Sequence, residues 1–118
     1  MAIPSGSGTE VLKRLTRNVL NGATCTFASV PAHHIHTIIS INIANNGSAS
    51  AFGITVNDGS NDINIISQNA SGTIIPAFGT FIYNDRLVLT AGDTLKIAFT
   101  GDYAELWVSY IDQDWTTP

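Results

Sequence analysis

The chain has 118 residues, of which 44% are apolar and only 12% charged. That is enough for one core, too short for two, and too apolar for a disordered segment. A net charge of −4 argues against the basic patch with which a nucleic-acid binder neutralises phosphates. No apolar run approaches the ~18 residues of a membrane-spanning helix.

Ile, Val and Thr together number 34, against 7 Leu, 2 Glu and 2 Lys. β-Branched side chains suit a pleated, half-buried surface, and the straight-chain helix formers are scarce. The composition predicts an all-β chain.

In chain order, residues 1–22 read as an N-terminal arm or edge segment. PSGSG is a flexible lead-in by composition, and the start lacks the charged and apolar regions of a secretory leader. In TEVLKRLTRNVLNG, Ser7 and Glu10 have capping-box spacing, and Val11, Leu15 and Val19 recur every four residues, as a short helix would have them. Thr16, Asn18 and Val19 are mediocre helix formers beside a β-rich remainder, which favours an extended arm or edge strand.

Residues 23–112 read as the sandwich. HIHTIISINIA alternates, placing Ile35, Thr37, Ile39, Ile41 and Ile43 on one face and His34, His36, Ile38, Ser40 and Asn42 on the other. AFGITVN, INIIS, TIIP, FGTFIY, LVLT, DTLKIAF and YAELWVSYI follow, punctuated by NNGSAS, NDGSND, QNASG, AGD and GD. About eight short antiparallel strands, with turns roughly every ten residues, predict a β-sandwich or jelly roll. Residues 113–118 form a polar C-terminal tail.

Charge is uneven along this plan. Residues 1–40 carry Lys13, Arg14 and Arg17 against Glu10, whereas residues 41–118 carry Arg86 and Lys96 against eight carboxylates. A basic N-terminal stretch on an acidic body suits either solvent or a neighbouring copy of that body. Cys25 is the only cysteine, so no disulfide forms within the chain. It reads as a small buried hydrophobe made in a reducing cytoplasm.

Three side-chain groups invite a chemical reading. His34 and His36 form a same-face H-x-H pair, a genuine metal-ligand spacing. No fourth histidine exists and no Glu lies nearby, so further ligands would have to be Asp from distant parts of the chain. The plainer reading is polar residues at the solvent end of a strand, and no metal or cofactor is expected. Ser, His and Asp are present without a G-x-S-x-G elbow, and Gly6-x-Gly8 lacks the rest of a dinucleotide fingerprint. Alternation with Leu106 and Val108 predicts that Trp107 points outward alongside Glu105, and Trp115 lies in the polar tail. Either suits a protein interface, or with Tyr103 a sugar ring.

Taken in order, IPSGSGTEVLKR, VPAHHIHTIISINIANN, LVLTAGDTLKI and WVSYIDQD resemble small virion structural proteins of tailed bacteriophages. That family includes capsid decoration (cement) proteins and related head- or tail-fibre modules. Cupin-like jelly rolls share GDTLKI, but the Glu they carry after His-x-His is absent from TIISIN. The resemblance implies a non-enzymatic β-sandwich in the virion, assembled as a homotrimer that contacts the major capsid protein or other virion proteins. It implies no nucleic acid and no membrane. It also implies that the arm from Ser5 to Arg17 reaches a neighbour. The interface candidates are Glu10, Leu12, Lys13, Arg14, Arg17, His34, His36, Trp107 and Trp115. A fibre component, a carbohydrate-binding sandwich and a small cupin-like metalloprotein are the rival readings.

Overall fold

The structure is a computed structural model and describes residues 9–20, 24–67, 74–101 and 103–115. Ser7, Tyr103's neighbour Asp102 and the end of the tail lie outside them. Ten strands occur among the described residues: β1 (Thr9–Leu20), β2 (Thr24–Thr26), β3 (His34–Asn45), β4 (Ser50–Asn57), β5 (Asp62–Ile66), β6 (Ile74–Ile75), β7 (Thr80–Tyr83), β8 (Leu87–Thr90), β9 (Thr94–Phe99) and β10 (Tyr103–Asp114). No helix occurs among these residues, and the stretch from Thr9 to Leu20 is a strand.

All pairings are antiparallel. One sheet runs β1-β10-β3 with β7 and β8 side by side along β3, and the other runs β2-β9-β4-β5 with β6 also on β4. The order follows a simple rule. β1 pairs with β10, β2 with β9, β3 with β8 and β7, and β4 with β6 and β5. The chain is thus a long hairpin wound over itself, which is the topology of a jelly roll. The expected all-β sandwich is the fold the chain adopts.

The turns follow from their residues. At the β4–β5 turn Gly59 takes φ +99°, a conformation open to glycine without strain. Asp58 Oδ1 accepts the Ser60 N–H at 3.0 Å and the Asn61 N–H at 2.7 Å. The β8–β9 turn repeats the device, with Gly92 at φ +90° and the Asp93 carboxylate accepting the Thr90 N–H at 2.8 Å.

The core lies between the sheets. Val19, Ile38, Ile41, Ile43, Leu89, Ala104, Leu106, Val108 and Tyr110 face Phe52, Ile54, Val56, Leu95, Ile97 and Phe99, all buried. Each fully buried Ile or Leu removes about 1.5–3 kcal/mol worth of apolar surface from water.

One expectation fails on β3. Beside β10 the register jumps, with Ser40 opposite Ser109 but Ile38 opposite Tyr110. Ile39 is therefore the extra residue of a β-bulge, and a bulge inverts the facing of everything beyond it. His34, His36 and Ile38 consequently share the inner face with Ile41 and Ile43, while Ile35 and Thr37 turn outward. Simple alternation had put the histidines opposite Ile41 and Ile43.

Candidate functional site

The bulge aims both histidines at β10. In the ladder, His36 lies opposite Asp112 and His34 opposite Asp114. Lys13 lies opposite Tyr110 and Val11 opposite Asp112, so Lys13 shares the inner face and reaches the same carboxylate. Asp112 is only 6% exposed. His34 Nδ1 donates to Asp112 Oδ1 at 2.8 Å, and His36 Nε2 lies 3.2 Å from that same oxygen. Lys13 Nζ donates to the other oxygen, Oδ2, at 2.9 Å. His34 Nε2 faces Asp114 Oδ1 at 3.5 Å, and the His36 ring packs 4.8 Å from that of Tyr110.

The electrostatics follow from these contacts. Burial pushes the Asp112 carboxyl up. The hydrogen bonds from His34 and Lys13 and the charges of the histidines outweigh it and hold the group below its ordinary value. Burial lowers the His36 imidazole below its ordinary value, against the pull of the Asp112 charge, which favours a neutral ring. The hydrogen bond and charge of Asp112 raise the Lys13 ammonium.

Sequence alone pairs His34 with His36 and ranks Lys13 with them as interface candidates, but it does not bring the three to one carboxylate and leaves Asp112 unnamed. The signal was present in principle, since an Asp in the alternating inward set Leu106, Val108, Tyr110, Asp112 is an anomaly that calls for partners. His33 does not join the cluster. It sits in the preceding turn with φ 66°, exposed, and its carbonyl accepts the Trp115 N–H at 2.8 Å.

Four of the remaining candidates fall on the other side of the same sheet. Glu10, Leu12, Arg14 and Trp107 are on its outer face, where Glu10 accepts from Gln113 at 2.7 Å and the Arg14 guanidinium lies 4.8 Å from the Trp107 ring centre. Leu12 is 72% exposed, Val88 60%, Ile82 54% and Trp107 44%. Asn42 Oδ1 is buried here without a hydrogen-bond partner among the described residues. Concave surface flanks Trp107 on both sides, lined by Thr16, Asn18, Asn42 and Glu105 on one and Leu12, Arg14 and Ser109 on the other. Arg17 belongs to the inner face at the sheet edge, 5.3 Å from the Phe27 ring. Trp115 is half-buried beside the His33 turn, and its Nε1 has no hydrogen-bond partner among the described residues. Burial raises the Cys25 thiol, as suits a packed rather than reactive cysteine.

No protein-family model matches the sequence, and no curated protein does either. Solved structures do. A subunit of the disulfide-linked pili that form Bacillus endospore appendages aligns with a TM-score of 0.51 and 13% identity, over 98% of this chain and 97% of that one. A pentameric capsid protein from metagenomic phage sequences aligns with a TM-score of 0.43 and 18% identity over 86% of this chain. A structure of infectious bursal disease virus, Gx strain, aligns with a TM-score of 0.45 and 12% identity, over 94% of this chain and 35% of that one. The chain spans 60% of the length of that phage capsid protein and 64% of a second. At these identities the likeness concerns the fold.

Proposed function

We propose that this chain is a non-enzymatic structural protein of a virion, a capsid decoration protein that assembles with copies of itself on the head surface. The observation that carries the reading is the outer face of the β1-β10-β3 sheet. Leu12, Ile82, Val88 and Trp107 stand exposed together there, and a buried Asn42 oxygen awaits a donor. Buried polar atoms normally find partners, and an apolar sheet face bordered by charge suits a protein interface. The sequence motifs that resemble phage decoration proteins point the same way.

A second copy of the chain is the occupant this face fits. On that face the edge strand β1 presents Arg14, stacked on Trp107, while eight of the nine carboxylates lie in residues 41–118. A basic edge on one copy and an acidic body on the next make a head-to-tail contact, which closes into a ring when the rotation allows. A specific contact of this kind needs about 800 Å² per partner, and repetition over a shell adds avidity.

The rival reading is a fibre or appendage subunit, favoured by the near full-length match in fold to the pilus protein. The same head-to-tail contact makes a filament when it does not close. A native mass spectrum with electron microscopy separates the two, and co-sedimentation with undecorated capsids of the cognate phage tests decoration. Decoration predicts a closed oligomer, a trimer by resemblance, that binds shells. Leu12→Glu with Ile82→Glu should reduce it to a folded monomer. Filaments would favour the fibre subunit. A wild-type monomer that ignores capsids would overturn both readings.

A further inference from the structure

We propose that His34 Nδ1, His36 Nε2 and Asp112 Oδ1 form a binding site for one zinc-type divalent cation per chain. The inference is independent of the virion reading and rests on how the ladder converges these three atoms.

The three donor atoms all lie within 4.8 Å of one another. The two imidazole nitrogens are 2.8 and 3.2 Å from one and the same carboxylate oxygen. Zinc holds nitrogen at ~2.0–2.1 Å and carboxylate oxygen at ~2.0–2.2 Å, which sets neighbouring ligand atoms roughly 3.0–3.5 Å apart. The two nitrogen–oxygen separations are already near that spacing, and the two nitrogens, within 4.8 Å of each other, close on the cation by side-chain rotation. Two His and one carboxylate, with remaining positions open to water, is a donor set suited to first-row divalent ions and poorly suited to Ca²⁺ or Mg²⁺.

The next layer of contacts favours the same assignment. A ligating imidazole ordinarily turns its other nitrogen to a carboxylate or carbonyl, which fixes ring and tautomer. His34 does this with Asp114 Oδ1, 3.5 Å from Nε2. Ligating carboxylates are themselves held by donors. Lys13 Nζ grips Asp112 at Oδ2, 2.9 Å away, and leaves Oδ1 to the two rings. Lys13 is 46% exposed along its side chain, so water screens its ammonium from a cation at Oδ1. Packing against Tyr110 fixes the His36 ring.

The backbone explains why the site exists. Without the Ile39 bulge, His34 and His36 would face solvent and Asp112 would face the core alone. The bulge is thus the device that assembles a three-donor cluster from strands 76 and 78 residues apart in sequence, a common use of bulges near functional sites.

The test is titration of the metal-free protein with ZnCl₂, read by isothermal calorimetry and native mass spectrometry, with Co²⁺ absorption as an optical probe. One ion per chain is expected, with affinity falling at least 100-fold in His36→Ala and in Asp112→Asn. His33→Ala, which alters an exposed histidine outside the cluster, should bind like the wild type. Circular dichroism and a urea transition in EDTA establish that each variant is folded. If a variant is not, the wild type still decides: Zn²⁺ should raise its urea midpoint, and Co²⁺ should give the visible bands of a low-coordinate nitrogen–oxygen site. No binding at 100-fold molar excess of zinc, or binding that survives His36→Ala in a folded protein, or loss with His33→Ala, would overturn the assignment.

Discussion

Asn45 at the end of β3 offers the most quantitative test of how this sandwich holds together. The side chain is buried and carries two amide hydrogens and one carbonyl. Its Nδ2 lies 2.9 Å from Ser48 O and 3.1 Å from both Ile75 O and Pro76 O, and its Oδ1 accepts the Gly47 N–H at 2.9 Å. Two hydrogens serve three carbonyls, so one hydrogen is shared and the residue makes about three bonds' worth of interaction. At ~1 kcal/mol net for each bond, Asn45→Ala loses about 3 kcal/mol. Buried carbonyls left unpaired add ~1–2 kcal/mol, for a total of about 4–5 kcal/mol. A typical domain has only about 5–15 kcal/mol of stability. Urea unfolding at 25 °C and fixed protein concentration, followed by Trp fluorescence, measures the change, with the m-value unaltered. Asn45→Asp keeps the shape and the Gly47 contact but sets a negative charge against the three carbonyls. It should be no more stable than the alanine variant. A loss below 1 kcal/mol for alanine, or an aspartate variant equal to the wild type, would refute the claim that this amide ties the β3–β4 turn to the β6–β7 connection.

Three further outcomes are expected. A methyl at Gly101 would collide with Ser50 Oγ and lie 2.6 Å from Phe99 Cε2, both in packed surroundings, so Gly101→Ala should cost about 1–3 kcal/mol in the same urea assay. Phe78 is exposed with φ 59°, a conformation that strains a bulky residue by about 1–3 kcal/mol, so Phe78→Gly should raise the urea midpoint. In EDTA, stability should fall with acid in two windows. The folded His36 value lies below its ordinary 6.5, so its neutral ring contributes above that pH and loses its contribution as pH drops. The folded Asp112 value lies below its ordinary 3.8, so its contribution is complete above about pH 4 and is lost as pH falls further. His34, Lys13, Tyr110 and Asp114 are the groups around both. A urea midpoint that rises between pH 6.5 and 5.5 would contradict the first window, and Asp112→Asn should weaken the second.

How much of this the sequence discloses depends on the range of the contact. Strict alternation in β4, β9 and β10 reports a single buried face directly, and the inward set of β10 is legible from Leu106 to Tyr110. β3 is different, because TIISINI carries isoleucine at both parities. Period-two reading then has no way to locate a bulge, and an error of one residue inverts every assignment beyond it. β1 is ambiguous for a related reason. Its apolar residues are spaced by four, which satisfies a helix and also one face of a strand. β2 has only three residues, too few for any period. The bonds from Asn45 to Ile75 and Pro76 and the partners of Asp112 are not legible, because only the winding of the long hairpin brings those groups together.

The winding also separates the two kinds of candidate residue. Alternation along β1 sends Leu12 and Arg14 to the outer face with Trp107, and Lys13 to the inner face with Asp112. His34 and His36 therefore do not belong to the same surface as Trp107, although the sequence offered them all as one interface set. A cation bound at Asp112 would brace β3 against β10 from inside, in the very sheet whose outer face we propose docks a neighbouring copy. A sheet stiffened from within keeps its outer face preorganised, and preorganisation lowers the ordering cost of association. Metal site and docking face are then separate in their residues but joined mechanically through one pair of strands.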